Sequence, residues 1–521
     1  MPFAPAQAIV NGELAEPDEF PWVAKLIADS NGICTGSLIR EDMILTAAHC
    51  LTGIKDTPEK LKISFPNTSG HNTVYTASDV FIHPSYGDGA MTGIFEEERT
   101  FDGETSSATG GQGYQSHDIG LVKLQKAVPD ISPASLTTHN KESRSFYSLG
   151  YGSVGDRDID EDKEKSLLTP LSKIDIKLVS PSACKLHSDS TYQAHKTDES
   201  LQKGVPSTMV SKDVICTIAV QPFSSACNGD SGSPLIQTTN GKHEIVGIAS
   251  FAGGSVCAHE TNYEYAPTVY SSSEQYNYFI SSILSGDTNL DKHKNLIENP
   301  FNEKLDGEGW TFNDKSNFYT LSSDKGYFNW GNMHRLATGL IVAKHLSNPN
   351  PASADKIPEN VKAFLEKYPN LDFLGADFKD IIKVGTFFAT SYLPAERHQT
   401  VDLVASTGLS APELAQVKPS LIVSEIFTRT YCGGDRYFMK ATILDEQKQS
   451  LETYSTGDRY LEGECNWDTD WYEARLDIPY VEGARYIRFE DGGQDSENWE
   501  GFYGPRMTAA SVRLNTPFIV K

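Results

Sequence analysis

Cys227-Asn228-Gly229-Asp230-Ser231-Gly232-Ser233-Pro234 sets a serine between glycines in a run of turn-forming residues. Two earlier stretches answer it: Thr46-Ala47-Ala48-His49-Cys50 and Asp118-Ile119-Gly120-Leu121-Val122-Lys123-Leu124. A serine hydroxyl is a poor nucleophile until an imidazole takes its proton, so Ser231 needs His49. The imidazole must be held in one tautomer and stabilised once charged, a role for Asp118. Alone, each motif has a plain structural reading, a histidine in a polar network or a Gly-Asp-Ser-Gly turn. Together they point to serine hydrolysis, with His49, Asp118 and Ser231 as the catalytic residues.

The chain order His, Asp, Ser differs from the Ser-Asp-His of α/β-hydrolases and the Asp-His-Ser of subtilisins. The three segments resemble the trypsin/chymotrypsin family of serine endopeptidases. That resemblance implies an all-β, two-barrel chymotrypsin-like domain over residues 9–285. It also implies an oxyanion hole made by the N–H groups of Gly229 and Ser231. At Ile9-Val10-Asn11-Gly12 it implies an activated start, whose new ammonium folds inward to form an ion pair with Asp230. Burying that carboxylate requires a paired cation. Ala8 precedes Ile9 where trypsinogens carry Lys or Arg, so a trypsin-like activator is not expected to cut there. Ala6-Gln7-Ala8 fits either a signal-peptidase site or an elastase-like cut. Residues 1–8 therefore read as the pro-segment of a secreted zymogen or as a signal-peptide remnant, whose removal would release a protease already active with no separate zymogen stage.

By the same resemblance, Ser225 forms the base of the primary substrate pocket, where an aspartate would select Lys or Arg. Without that charge a basic side chain would be buried with no counterion. Ser250-Phe251-Ala252 forms one wall and Thr268 faces it. Ala252 and Thr268 stand where glycines would leave a deep slot, so the expectation is cleavage after small or medium apolar residues, with chymotrypsin-like cleavage second.

The sequence contains 8 cysteines, in keeping with an oxidising compartment. The family resemblance pairs Cys34 with Cys50, Cys184 with Cys216, and Cys227 with Cys257, which leaves Cys432 for Cys465. No C-x-x-C pair or acidic calcium loop suggests a metal, and no cofactor is expected. Formal net charge is −25, spread along the chain, which argues against nucleic acid or anionic membrane as partners. No apolar run approaches the ~20 residues that span a bilayer. The expected partners are protein or peptide substrates.

Short β-branched segments such as Leu61-Lys62-Ile63-Ser64-Phe65 and Glu244-Ile245-Val246-Gly247-Ile248 alternate with Gly, Pro and Ser turns, an all-β pattern. The Gly-, Thr- and Ser-rich stretch 86–116 and the charged stretch 156–165 read as surface loops. Tyr276, Phe279, Ile280 and Leu284 have helical spacing, so a helix is expected over Ser273–Leu284, followed by a polar linker at 286–293.

A second domain is expected over 294–515. Asn295-Leu296-Ile297-Glu298-Asn299-Pro300-Phe301, Gly309-Trp310, Lys418-Pro419-Ser420-Leu421-Ile422-Val423, Trp471-Tyr472 and Tyr486-Ile487-Arg488-Phe489-Glu490-Asp491-Gly492-Gly493 carry its signature. They are similar to the F-box-associated domain, which implies a jelly-roll, galactose-binding-like β-sandwich. An insertion at about 336–390 contains a helical stretch near Val361–Lys367. Some members of that family bind N-glycan cores, and Trp499, in Asn498-Trp499-Glu500, is the matching candidate for glycan binding. A different class of function is a binding or adhesion protein that uses an inactive protease domain as scaffold.

Overall fold

The computed structural model describes residues 9–28, 32–86, 99–101, 104–106, 117–137, 145–152, 170–180, 183–184, 212–252, 265–298, 300, 309–313, 330–332, 388–390, 394–428, 434–461, 472–496 and 504–516. Two units emerge: residues 1–89, 114–293 and 515–521 form one, and residues 90–113 and 294–514 form the other.

In the first unit, β1 (Val23–Ala28), β2 (Gly32–Arg40), β3 (Met43–Thr46), β4 (Lys62–Ser64), β5 (Tyr75–Ile82) and β6 (Gly120–Leu124) close a barrel in the order β1-β2-β3-β6-β5-β4. Closure removes the free strand edges that would otherwise template aggregation. Phe20, Leu26, Leu45, Phe65 and Leu121 fill it, each buried. A second ring is formed by β7 (Ser145–Gly150), β8 (Ser172–Val179), β9 (Val214–Ala219), β10 (Pro234–Thr239), β11 (Lys242–Ala252) and β12 (Thr268–Ser272). Its order is β8-β7-β10-β11-β12-β9, and β9 pairs back with β8. Ile9 lies in its core with Phe146, Ile174, Leu235 and Tyr270.

Helix α1 (Asn277–Leu284) starts later than its spacing suggests. The ladder of β12 runs to Ser272, and residues 273–276 make the turn between them. The stretch that reads as a linker contains a 3-10 turn, Leu290–His293, in which Lys292 and His293 are buried. The His293 ring packs edge-on against Tyr278 and Phe279 at 4.8 and 5.5 Å. The stretch 86–116 is not wholly irregular, because Arg99–Phe101 and Glu104–Ser106 pair as a short hairpin. The 156–165 loop and the helical stretch at 361–367 lie outside the described residues.

The second unit is a sandwich. One sheet is built from β13 (Thr311–Phe312), β16 (Ala395–Asp402), β18 (Asp435–Leu444), β19 (Ser450–Ser455), β20 (Arg459–Leu461) and β22 (Tyr486–Gln494). The other contains β14 (Trp330–Asn332), β15 (Phe388–Thr390), β17 (Ser420–Thr428), β21 (Tyr472–Ile478) and β23 (Arg506–Asn515). Their orders are β13-β16-β22-β18-β19, with β20 on β18, and β14-β15-β23-β17-β21. Alternation along β18 buries Tyr437, Met439, Ala441 and Ile443 and turns Arg436, Phe438, Lys440 and Thr442 outward, the period of two that a half-buried strand requires.

A charged layer joins the two sheets. Arg397 of β16 donates through Nε to Asp491 of β22 and through Nη2 to Glu425 of β17, all at 2.9 Å. Tyr437 donates to the other Glu425 oxygen at 2.9 Å, and the guanidinium lies 3.7 Å from the Trp310 ring centroid. Burial first, then the Asp491 charge, pushes the Glu425 carboxyl well above its usual range. A proton on Glu425 leaves one carboxylate for one guanidinium, the condition for burying such a cluster.

Candidate active site

Strand β3 pairs with β6 so that Thr46 lies opposite Gly120. The chain beyond β3 and the chain entering β6 therefore meet at one end of the barrel, with His49 and Asp118 adjacent. Gly120 is dictated by space: a Cβ there would come within 2.7 Å of the Leu51 side chain.

Asp118, 1% exposed, accepts on both oxygens. The His49 backbone N–H donates to Oδ1 at 2.9 Å, and His49 Nδ1 donates to Oδ2 at 2.8 Å. Ser250 Oγ also donates to Oδ2, at 2.5 Å, and Ser271 Oγ donates to the Asp118 carbonyl at 2.8 Å. Burial lowers the His49 pKa, but the Asp118 charge and hydrogen bond outweigh it and hold the imidazole above its ordinary value. The arrangement leaves Nε2 as the basic nitrogen.

Ser231 sits on the loop entering β10. Its carbonyl accepts the Thr35 N–H at 2.8 Å. Gly232, at φ 79°, donates to the Ala249 carbonyl at 2.8 Å, and a Cβ on it would clash with Thr46 Oγ1 and the Thr35 carbonyl. Only glycine lets the serine loop lie this close to the end of β3, three residues before His49. Gly229 has φ 95°, and a Cβ there would meet Gly152 Cα at 2.8 Å. Among the described residues, the N–H groups of Gly229 and Ser231 have no backbone acceptor, whereas those of Asp230, Gly232 and Ser233 do.

Asp230 is 1% exposed beneath this loop. It accepts the N–H groups of Cys227 and Gly152, each at 2.8 Å, and side chains at Gly150 or Gly152 would collide with it. Burial pushes its carboxyl up to about 8 despite those two donors. Among the described residues no cationic side chain pairs with it. Ile9 is fully buried, and the Val10 N–H donates to the Ser225 carbonyl at 3.2 Å, which ties the start of the unit to the expected pocket base.

Of the expected pocket residues, β11 and β12 place Phe251 opposite Val269 and Ala252 opposite Thr268. Thr268 and Ser225 are buried, at 6% and 1% exposure. The Thr268 carbonyl accepts Thr217 Oγ1 at 3.1 Å, a further tie between β9 and β12. Ser250, expected in the pocket wall, directs its hydroxyl at Asp118. Sequence reasoning missed this role and Ser271 altogether. The available signal was a lone hydroxyl within Ile-Ala-Ser-Phe and a run of serines after Val269-Tyr270.

Disulfides join Cys34 to Cys50 and Cys184 to Cys216, and Cys227 is also disulfide-bonded. Cys257, Cys432 and Cys465 lie outside the described residues, as does Trp499. Among the described residues, Cys34, His49 and Cys50 are the cluster with metal-ligand spacing, but the disulfide occupies both sulfurs. No described helix is long and apolar enough to cross a membrane.

Residues 9–280 match the trypsin family and residues 291–514 the F-box-associated region. Lectizyme of Glossina austeni is 29% identical over 276 residues, covering 52% of this chain and 84% of that protein. The clotting factor G beta subunit of Tachypleus tridentatus is 26% identical over 299 residues, covering 53% and 80%. F-box only protein 6 of Rattus norvegicus is 32% identical over 140 residues, covering 26% of this chain and 48% of that protein. The chain thus spans about half the length of that F-box relative. This chain belongs to the trypsin family and carries an F-box-associated region behind its protease domain.

Proposed function

We propose that this chain is a secreted serine endopeptidase. Ser231 Oγ attacks the scissile carbonyl while His49 Nε2 takes its proton. Asp118 holds the proton on Nδ1 and stabilises the imidazolium that forms. The N–H groups of Gly229 and Ser231 receive the oxyanion, where one such donor contributes ~3 kcal/mol to transition-state stabilisation. His49 returns its proton to the leaving amine, and water then cleaves the acyl-enzyme by the same steps. The observation that carries this reading is the 2.8 Å bond from His49 Nδ1 to a buried Asp118. In the proposal a cut before Ile9 converts a zymogen to the active form, its ammonium pairing with Asp230.

The substrate pocket proposed here ends at Ser225, with Ala252 and Thr268 as register partners on the adjacent strands β11 and β12. Their pairing supports a narrowed slot that takes a small or medium apolar side chain. The test is a chromogenic peptide panel varying only the residue before the cut (Ala, Val, Leu, Phe, Arg), on protein with Ile9 freed. Ala, Val or Leu should lead Arg by at least tenfold, a difference of ~1.4 kcal/mol, and Ser231→Ala should abolish turnover. An Arg preference would refute the pocket. No turnover above the Ser231→Ala control would favour the scaffold reading.

For the F-box-associated region we propose carbohydrate binding through Trp499, an aromatic face on which a sugar ring can stack, steering the protease to glycoproteins. A glycan array should give signal that Trp499→Ala removes. Signal unaffected by the substitution, or none, would leave this region as a protein-binding or packing module.

A further inference from the structure

The peptide that carries Asp118 passes through a conformation that requires support. His117, just before it, has φ 59°. A non-glycine residue seldom occupies this left-handed region, and persists there only where its surroundings over-determine it.

The surroundings here are a layer of rings. The His117 imidazole lies parallel to that of His83, with centroids 4.9 Å apart and planes 9° from parallel. Tyr276 packs edge-on to both, at 5.7 Å from His117 and 5.4 Å from His83. Phe279 backs His83 at 5.1 Å. His83, Tyr276 and Phe279 are each at most 4% exposed.

The same turn fixes everything around the carboxylate. The Ile119 N–H closes back onto the His117 carbonyl at 2.8 Å, and the His83 N–H donates to the Ile119 carbonyl at 3.2 Å. From β12 of the second ring, Ser271 Oγ holds the Asp118 carbonyl at 2.8 Å. With both flanking residues and its own carbonyl fixed, Asp118 retains only its side-chain torsions. His49 and Ser250 then take those up.

We propose that His117, clamped by His83 and Tyr276, is a positioning residue: the ring stack maintains the left-handed turn that aims Asp118 at His49. This rests on the serine-protease reading. It adds a residue beyond the triad, one that touches neither substrate nor the reacting atoms.

Two variants separate the ring from the backbone. His117→Ala removes the ring and leaves a residue that is strained at this φ. His117→Gly also removes the ring, but accepts the conformation without strain. Both are assayed with Ile9 freed, normalised by active-site titration with a serine-directed phosphonate. Both should lose kcat by about 10- to 100-fold, the cost of a misplacement near 1 Å, with KM within twofold and a lower acid-limb midpoint. A merely structural role would lower the fraction titrated, not the pH midpoint of the molecules that titrate. The downfield proton of the His49 Nδ1–H to Asp118 bond, read by NMR in a Ser231→Ala background, should weaken or vanish without the ring.

Wild-type kcat and acid midpoint in His117→Gly would overturn the proposal, as would an unchanged downfield proton. Absence of turnover in the parent protein, equal to Ser231→Ala, is a different failure. It would remove the protease reading itself and the positioning role with it.

Discussion

Asp118→Asn is expected to lower kcat about 10⁴-fold, the loss known for the corresponding change in the trypsin family, with KM nearly unchanged. The geometry here supplies the reason. Oδ1 must accept the His49 backbone N–H, while Oδ2 accepts both His49 Nδ1 and Ser250 Oγ. An asparagine has one oxygen, and the backbone donor claims it. The amide NH₂ then faces Nδ1 and donates to it, which moves the ring proton to Nε2. That nitrogen can no longer take the serine proton. The acid limb moves as well. Asp118 raises the His49 pKa against the opposing effect of burial, so wild-type activity should fall with acid through a midpoint above the ordinary histidine value of ~6.5. With the carboxylate gone, burial alone acts and the midpoint drops. A pH profile of kcat/KM checks both effects. Residual activity within tenfold of wild type, or an unmoved midpoint, would show that Asp118 does not hold the tautomer.

What the sequence reveals of this site depends on how local the physics is. Glycines around Ser231 and the small residues before His49 are local demands, and they stand in the chain as motifs. The structure gives a cause for Gly232, which must clear Thr46 Oγ1, and for Gly120 of the Asp118 motif, which must clear Leu51. The periodicity of β18 and the apolar spacing of α1 are equally local. Ser250 and Ser271 are different, because their task is to meet a residue 132 or 153 positions away. No spacing rule connects a hydroxyl on β11 or β12 to an aspartate entering β6. His117 reads as an ordinary loop residue until its ring is found on His83. The Arg397, Asp491 and Glu425 layer is hidden in the same way. No local pattern joins these three charges, because they lie on three separate strands, and only the register of β16 with β22 and the facing sheet bring them together, all buried.

Freeing Ile9 should move the loss of stability with rising pH from neutrality to the alkaline side, and Asp230 is the reason. With residues 1–8 attached, the Ile9 nitrogen is an uncharged amide. The Asp230 carboxyl is then pushed by burial to about 8, from an ordinary 3.8. Its folded pKa is raised, so the folded state holds the proton more tightly than the unfolded chain does. That contribution is fully present below pH ~4 and is lost as pH rises toward ~8, with a slope of up to ~1.4 kcal/mol per pH unit within the window. A cut before Ile9 supplies an α-ammonium, whose ordinary pKa is ~8. Paired with it, Asp230 is held ionised, and the loss between pH 4 and 8 disappears. The ammonium then has the raised folded pKa. Its contribution is complete below pH ~8 and is lost only above that, as the amine deprotonates. Urea midpoints from pH 5 to 9 on the two forms should therefore diverge, the uncut chain weakening across neutrality while the cut chain holds until the alkaline side. Asp230→Asn removes the slope from the uncut chain. In the cut chain it leaves a buried ammonium without a partner, so that form should lose activity although the triad is untouched. Parallel pH curves for the two forms would mean that the Ile9 amine does not reach Asp230. Activation would then require another cation or another start.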